Sequence, residues 1–199
     1  MNYLNYLNKF AHTTRRSSNA GLAALTVSAL ATLSACNTTD RVPDANLPAL
    51  SVVSSVDVPR YLGTWYQQAL IPNSFQAQCV SDTRATYVRN GDDLVVVNQC
   101  RRADGKVETA KGIAKIVEGS NNAKLRVSFF RPFYGDYWVL ALDPGYSWVL
   151  VGEPKRKFGW VLSRDTKLDE TTLNQILDRA VALGYDRAEF RRSIQGAGG

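Results

Sequence analysis

The sequence predicts an all-β fold, an eight-stranded antiparallel up-and-down barrel with one C-terminal α-helix packed outside it. Three observations carry that expectation. From Tyr61 on, β-rich runs recur about every ten residues, separated by tight turns built from Gly, Asn, Asp and Pro. The links are too short for crossover helices, so successive strands have to pair antiparallel. One segment of helical periodicity follows the last run, and closing the meander into a barrel removes both unpaired edges.

The expected strands are Gly63 to Leu70, Val80 to Arg89, Asp93 to Arg101, Lys106 to Val117, Ala123 to Phe130, Tyr137 to Asp143, Ser147 to Gly152 and Phe158 to Arg164. The links between them include Asn90-Gly91, Ala103-Asp104-Gly105, Gly119 to Asn122, Asp143-Pro144-Gly145 and Pro154 to Lys157. In Asp169 to Gly184, residues Leu173, Ile176, Leu177 and Ala180 share one helical face, and Gly184 is a stop. Glu189 to Arg192 is expected to return as a ninth strand. The domain plan is a leader at 1–35, a tether at 36–55, the barrel with its helix at 56–195 and a tail at 196–199.

The leader has a polar front with Lys9, Arg15 and Arg16, then the apolar run Ala20 to Leu33, which is the pattern of an export signal. Its 14 residues fall short of the roughly 20 that span a bilayer. Leu33-Ser34-Ala35-Cys36 resembles the lipobox of bacterial lipoproteins, which implies a mature chain beginning at lipid-modified Cys36. Asn37 after the cysteine implies sorting to the outer membrane, with the domain facing the periplasm. The stretch NTTDRVPDANLPALSVVSSVDVPR that follows, with three Pro, reads as a tether spanning roughly 25 to 30 Å as a flexible coil.

From Cys36 the chain has 164 residues, enough for one domain with its own core. Its formal charge of +6 drops to +3 without Lys9, Arg15 and Arg16, which calls for no nucleic-acid partner and suits work beside anionic membrane. The one histidine, His12, lies in the leader. Catalysis through a Ser-His-Asp or Cys-His arrangement and histidine-ligated zinc or haem are therefore not expected, and no catalytic residue, metal or cofactor is assigned.

With Cys36 acylated, Cys79 and Cys100 remain in an oxidising compartment, almost symmetric about the Asn90-Gly91 turn. They are expected to face each other near the open end of that hairpin as a disulfide. The alternative is a pair of free redox thiols, although their spacing is not of the CxxC type.

Gly63-Thr64-Trp65 opens the first strand and Arg164 ends the eighth. A glycine lets the chain bend into the barrel, Trp65 supplies a flat plug for its closed end, and the Arg164 guanidinium is placed to stack on the indole. Pro59 to Tyr66, Leu125 to Tyr137, Ala141-Leu142-Asp143 and Leu162-Ser163-Arg164 together resemble the lipocalins. The likeness is strongest to bacterial outer-membrane lipocalins of the apolipoprotein D type, and it spans Val56 to about Ile194.

That resemblance implies a small hydrophobic ligand, a fatty acid or lysophospholipid of the envelope. Strand parity from an inward Arg164 turns Leu162 and Trp160 inward, with Trp160 near the middle of the cavity. In the fifth strand the apolar set is Leu125, Val127 and Phe129, and in the fourth Ala110, Gly112, Ala114 and Ile116 face in. Tyr137, Val139 and Ala141 are assigned inward in the sixth. The expected ligand-contacting set is thus Trp160, Leu162, Leu125, Val127, Phe129, Tyr137, Val139, Ala114 and Ile116, while Gly63, Trp65 and Arg164 are structural. The alternatives are a non-catalytic envelope adaptor and an enzyme on the same scaffold. A native mass spectrum of protein from envelope extracts discriminates between them.

Overall fold

The computed structural model describes residues 47–196. Cys36, the leader and most of the tether lie outside the described residues. Asp57 caps a single helical turn, α1 (Val58–Tyr61), through its Oδ1, which accepts from the Arg60 N–H at 3.1 Å. Eight strands follow: β1 (Gly63–Leu70), β2 (Ser81–Asn90), β3 (Asp93–Arg101), β4 (Val107–Ile116), β5 (Lys124–Phe130), β6 (Phe133–Leu142), β7 (Trp148–Gly152) and β8 (Gly159–Ser163). Helix α2 (Glu170–Ala182) and a two-residue strand, β9 (Arg191–Arg192), complete the order.

Each strand pairs antiparallel with the next, and β1 pairs with both β8 and β2, so the sheet closes on itself. The chain direction divides the barrel into two ends. The turns after β2, β4 and β6 lie at the end where β1 begins; the links after β1, β3, β5 and β7 lie at the other, the mouth.

Strand alternation sorts side chains into two cores. Inside the barrel, Trp65, Tyr87, Leu94, Val96, Ala114, Leu125, Val139, Val149, Val151 and Leu162 are buried together. Outside it, Ala69, Leu140, Ala141, Leu150 and Val161 meet Leu173, Ile176, Leu177 and Ala180 of α2, the helical face expected from periodicity. Asp169 caps that helix by accepting from the Thr172 N–H at 2.8 Å.

Three elements differ from expectation. Residues 50–55, assigned to the tether, pack on the barrel: Leu50 is buried and the Val53 N–H donates to Val139 O at 3.0 Å. The apolar Leu50, Val52 and Val53 supply the burial that a free tether lacks. β6 starts at Phe133 rather than Tyr137, since β5 offers it partners as far as Phe130↔Phe133 whatever its own alternation. A register shift between Val139 and Ala141 turns Ala141 out to the helix side and leaves Leu142 against the interior.

The mouth half of the barrel has a seam. β1 pairs with β2 only from Gly63 to Tyr66. Beyond that β9 takes its edge, at Ala69↔Arg192 and Leu70↔Arg191. The Ser193 N–H donates to Gln68 O at 2.9 Å and the Asp82 N–H to Ile194 O at 2.9 Å, while the Gln195 amide donates to both Gln67 O and Thr83 O at 2.8 Å. Residues 191–196 thus join the two strands where they splay apart.

Candidate functional site: the barrel interior

The floor of the barrel is built from the first strand and the residues around it. Gly63 has φ +91°, a left-handed conformation open to glycine, and a Cβ there would lie 3.4 Å from Arg164 Nη1. That turn brings Trp65 under the barrel, fully buried, with its indole N–H donating to Tyr61 O at 2.8 Å. The Arg164 guanidinium lies 3.8 Å from the indole centroid. It also donates to Thr64 O at 2.8 Å, Arg60 O at 2.6 Å and Leu62 O at 2.9 Å. Arg164 therefore ties the start of β1 to the end of β8 while covering the plug, the arrangement expected from the sequence.

Above the floor, Ala114, Leu125, Val139 and Leu162 belong to the interior core, with Ile116, Val127, Tyr137 and Trp160 packed against it. Eight of the nine expected wall residues come together. Phe129 does not join them. β5 carries one extra residue between Val127↔Gly135 and Phe130↔Phe133, so strict alternation fails there, and Phe129 is 45% exposed. The bulge also explains Gly112: a Cβ would lie 2.7 Å from Ser128 O and 2.8 Å from the Phe129 ring.

Trp160 is near the mouth, not the middle. It pairs with Leu70, the last residue of β1. Its indole N–H donates to Gln76 Oε1 at 2.9 Å, and its ring stacks with Phe158 at 6.1 Å and meets Phe75 at 6.3 Å. Ala110, on the inward parity of β4, is exposed, so the interior reaches solvent on this side.

One sector of the wall is polar. Gln67 is buried, donating to Ser193 Oγ at 2.8 Å and accepting from Gln76 Nε2 at 3.1 Å. Thr83 is buried beside it. Asn98, which shares the parity of Leu94 and Val96, has a shielded Oδ1 with no hydrogen-bond partner among the described residues. Cys79 and Cys100 form a disulfide at the edge of this sector, with Cα atoms 5.5 Å apart.

Sequence reading missed a tyrosine cluster at the base. Tyr61 and Tyr137 share a hydroxyl hydrogen bond at 2.7 Å, and Tyr87 packs edge-on against both rings at 5.5 and 6.1 Å. Tyr87 was within reach of the alternation of β2, which puts Thr83, Ala85 and Tyr87 on one face. Its meeting with Tyr61 and Tyr137 depends on three separated segments and leaves no local signal.

Loss of solvent pushes the Tyr61 and Tyr137 phenols well above their ordinary value, and Tyr87 up to about 12. A raised folded-state value means that the native state keeps protons which the unfolded chain releases. For Tyr87 the contribution to stability is whole below about pH 10 and is lost as pH rises toward 12, at about 1.4 kcal/mol per unit. Urea midpoints are expected to fall more steeply above pH 10 in the parent than in Tyr87→Phe. Parallel curves would refute the assignment.

Among the described residues no group of three or more His, Cys, Asp or Glu is placed to hold a metal ion. The chemistry available is burial of an apolar body, with a few polar groups near the mouth.

Comparison with known proteins agrees with this architecture. The family model described as a lipocalin-like domain matches residues 56–195. Temperature-induced lipocalin-1 of Arabidopsis thaliana is 38% identical, over 73% of this chain and 83% of that protein. The outer membrane lipoprotein Blc of Escherichia coli K12 is 35% identical, over 71% and 80%. Mouse apolipoprotein D is 31% identical, over 79% and 88%. Among solved structures, lobster apocrustacyanin A1 aligns with a TM-score of 0.59 at 18% identity, covering 75% of this chain and 92% of its own. Insecticyanin from the tobacco hornworm Manduca sexta aligns with a TM-score of 0.59 at 20% identity, covering 74% and 85%. A closed eight-stranded barrel with its helix outside, a Gly63-Thr64-Trp65 floor under Arg164 and a family match across the whole domain place this chain in the lipocalin family.

Proposed function

We propose that this protein is an outer-membrane-anchored lipocalin that binds a single-chain lipid, a fatty acid or lysophospholipid, and holds or carries it in the envelope. One observation carries the reading: apolar side chains from successive strands face one interior, Trp65 and Arg164 close it at one end, and Ala110, on the same inward parity at the other end, is exposed. Relatives named outer membrane lipoprotein Blc, together with the Leu33-Ser34-Ala35-Cys36 sequence, support the envelope location.

Burying 15 methylenes gains roughly 12 kcal/mol relative to water. A membrane offers nearly the same gain, so selection has to come from chain length and from polar groups beside the mouth. Gln67, Thr83 and Asn98 lie there, and Asn98 Oδ1 is an acceptor with no partner among the described residues.

Native mass spectrometry of protein extracted from envelopes is expected to show a bound lipid of one acyl chain. Trp160→Ala should weaken fatty-acid binding about tenfold, equivalent to about 1.4 kcal/mol, beyond what its melting shift explains. A lipid-free spectrum, or a Trp160→Ala variant binding like the parent, would overturn the reading. For the anchor, Cys36→Ser is expected to abolish firm membrane association of leader-free protein, and retained association would defeat that part.

A further inference from the structure

Large exposed apolar side chains are distributed unevenly over the barrel. Of the ten among the described residues, seven are at the mouth end. Phe75 and Val80 are in the link after β1, Val107 begins β4, Phe129, Phe130 and Phe133 lie at the β5–β6 turn, and Ile194 lies in the seam; Leu47 and Val181 lie off the sheet, before the barrel and on α2. Phe130 and Phe133 are the most exposed of the aromatics, at 60% and 71%, and they stack on each other with ring centroids 6.2 Å apart. In the closed-end half, Val88 is the one large apolar side chain of this kind.

Basic groups are interleaved with them. Arg131 sits between the two phenylalanines, and Lys155 and Lys157 lie in the β7–β8 turn; none of the three forms an ion pair among the described residues. Arg101, Arg102 and Lys106 stand on the same end but are paired, Arg101 with Asp82, Arg102 with Asp104 and Glu108, and Lys106 with Asp104. Exposed aromatics set among unpaired cations complement the interface of an anionic bilayer, where rings enter the headgroup region and cations meet lipid phosphates.

The path of the chain gives an independent reason. Arg156, in the β7–β8 turn, donates through Nη2 to Pro48 O at 2.7 Å, and Leu47 lies against Gly184 at the end of α2. The chain therefore enters the described body at the mouth end. Cys36 precedes Leu47 by 11 residues, at most about 40 Å of extended chain.

We infer that this lipocalin docks mouth-down on an anionic lipid surface, inserting Phe130 and Phe133 while Arg131, Lys155 and Lys157 bind headgroups. The orientation extends the anchored-carrier reading and draws on its Cys36 anchor. It lets a lipid pass between bilayer and barrel without its chain crossing water.

The test is hydrogen–deuterium exchange of the acylated protein on vesicles of phosphatidylcholine with about 30 per cent phosphatidylglycerol, where mouth amides at 73–80 and 130–134 are expected to exchange about tenfold more slowly than in detergent. Turns 117–122 and 143–147 should be unchanged. The protection should shrink in high salt and on pure phosphatidylcholine. Phe130→Ser with Phe133→Ser, and separately Arg131→Glu, should remove it while the protein still floats with the vesicles. Val88→Ser should leave it intact. Flotation with an unprotected mouth, protection at both ends, or protection insensitive to salt and lipid charge would overturn the docking. Protection already present in detergent and rising with protein concentration would assign the patch to a second copy instead. Loss of flotation in the parent would overturn the anchor reading and this orientation with it.

Discussion

Replacing Trp65 with alanine is expected to destabilise the domain by about 3 to 5 kcal/mol, the range for emptying a fully buried aromatic site, and to lower the melting temperature by about 10 °C. The effect is large because the indole does three things at once. It fills the barrel floor with no exposed surface, donates to Tyr61 O and lies beneath the Arg164 guanidinium. Its loss leaves Arg164 held by three carbonyls over a void. Below the melting transition, fatty-acid affinity should stay within about threefold of the parent, because a floor meets the tail of a ligand at most. Calorimetry paired with binding isotherms reads both effects. A variant that melts like the parent but no longer binds would move Trp65 from the floor into the ligand site.

Removing the Cys79 to Cys100 disulfide through the double change to alanine is expected to cost about 3 kcal/mol, from the entropy returned to an unfolded loop of this size. Denaturant midpoints under non-reducing conditions measure it, with the parent in reductant as a second arm. The bond joins the link just before β2 to the end of β3 at the mouth, beside Gln67 and Thr83. A loss well under 1 kcal/mol would mean that the seam bonds of residues 191–196 hold this corner without it.

Much of the fold was legible because it is written in local patterns. Asn90-Gly91 set a hairpin whose register runs unbroken from Arg84↔Gln99 to Asn90↔Asp93. The spacing of Leu173, Ile176, Leu177 and Ala180 described the buried face of α2 completely. Errors arose where one residue of extra backbone changes every later side. The bulge before Phe130 removed Phe129 from the expected wall, and the shift between Val139 and Ala141 sent Ala141 to the helix. Nothing in either strand's composition marks these insertions, since they are set by the neighbouring strand. The polar sector was missed for a different reason. Gln67, Thr83 and Asn98 are far apart in sequence, and their shared position follows from ring closure.

The seam bears on when the protein becomes a barrel at all. Residues 191–196 reach strands that lie more than a hundred positions earlier, with the Gln195 amide bridging Gln67 O and Thr83 O. Contacts of such sequence separation form late, because the intervening chain has to be ordered before they are rewarded. The mouth half therefore stays an open trough until that segment arrives, whereas the floor, which needs nothing beyond Arg164, is complete without it. A chain threaded through a membrane from its N-terminus would close around its contents only after almost all of it had emerged, and lipid at the inner surface would meet the trough before the finished cup.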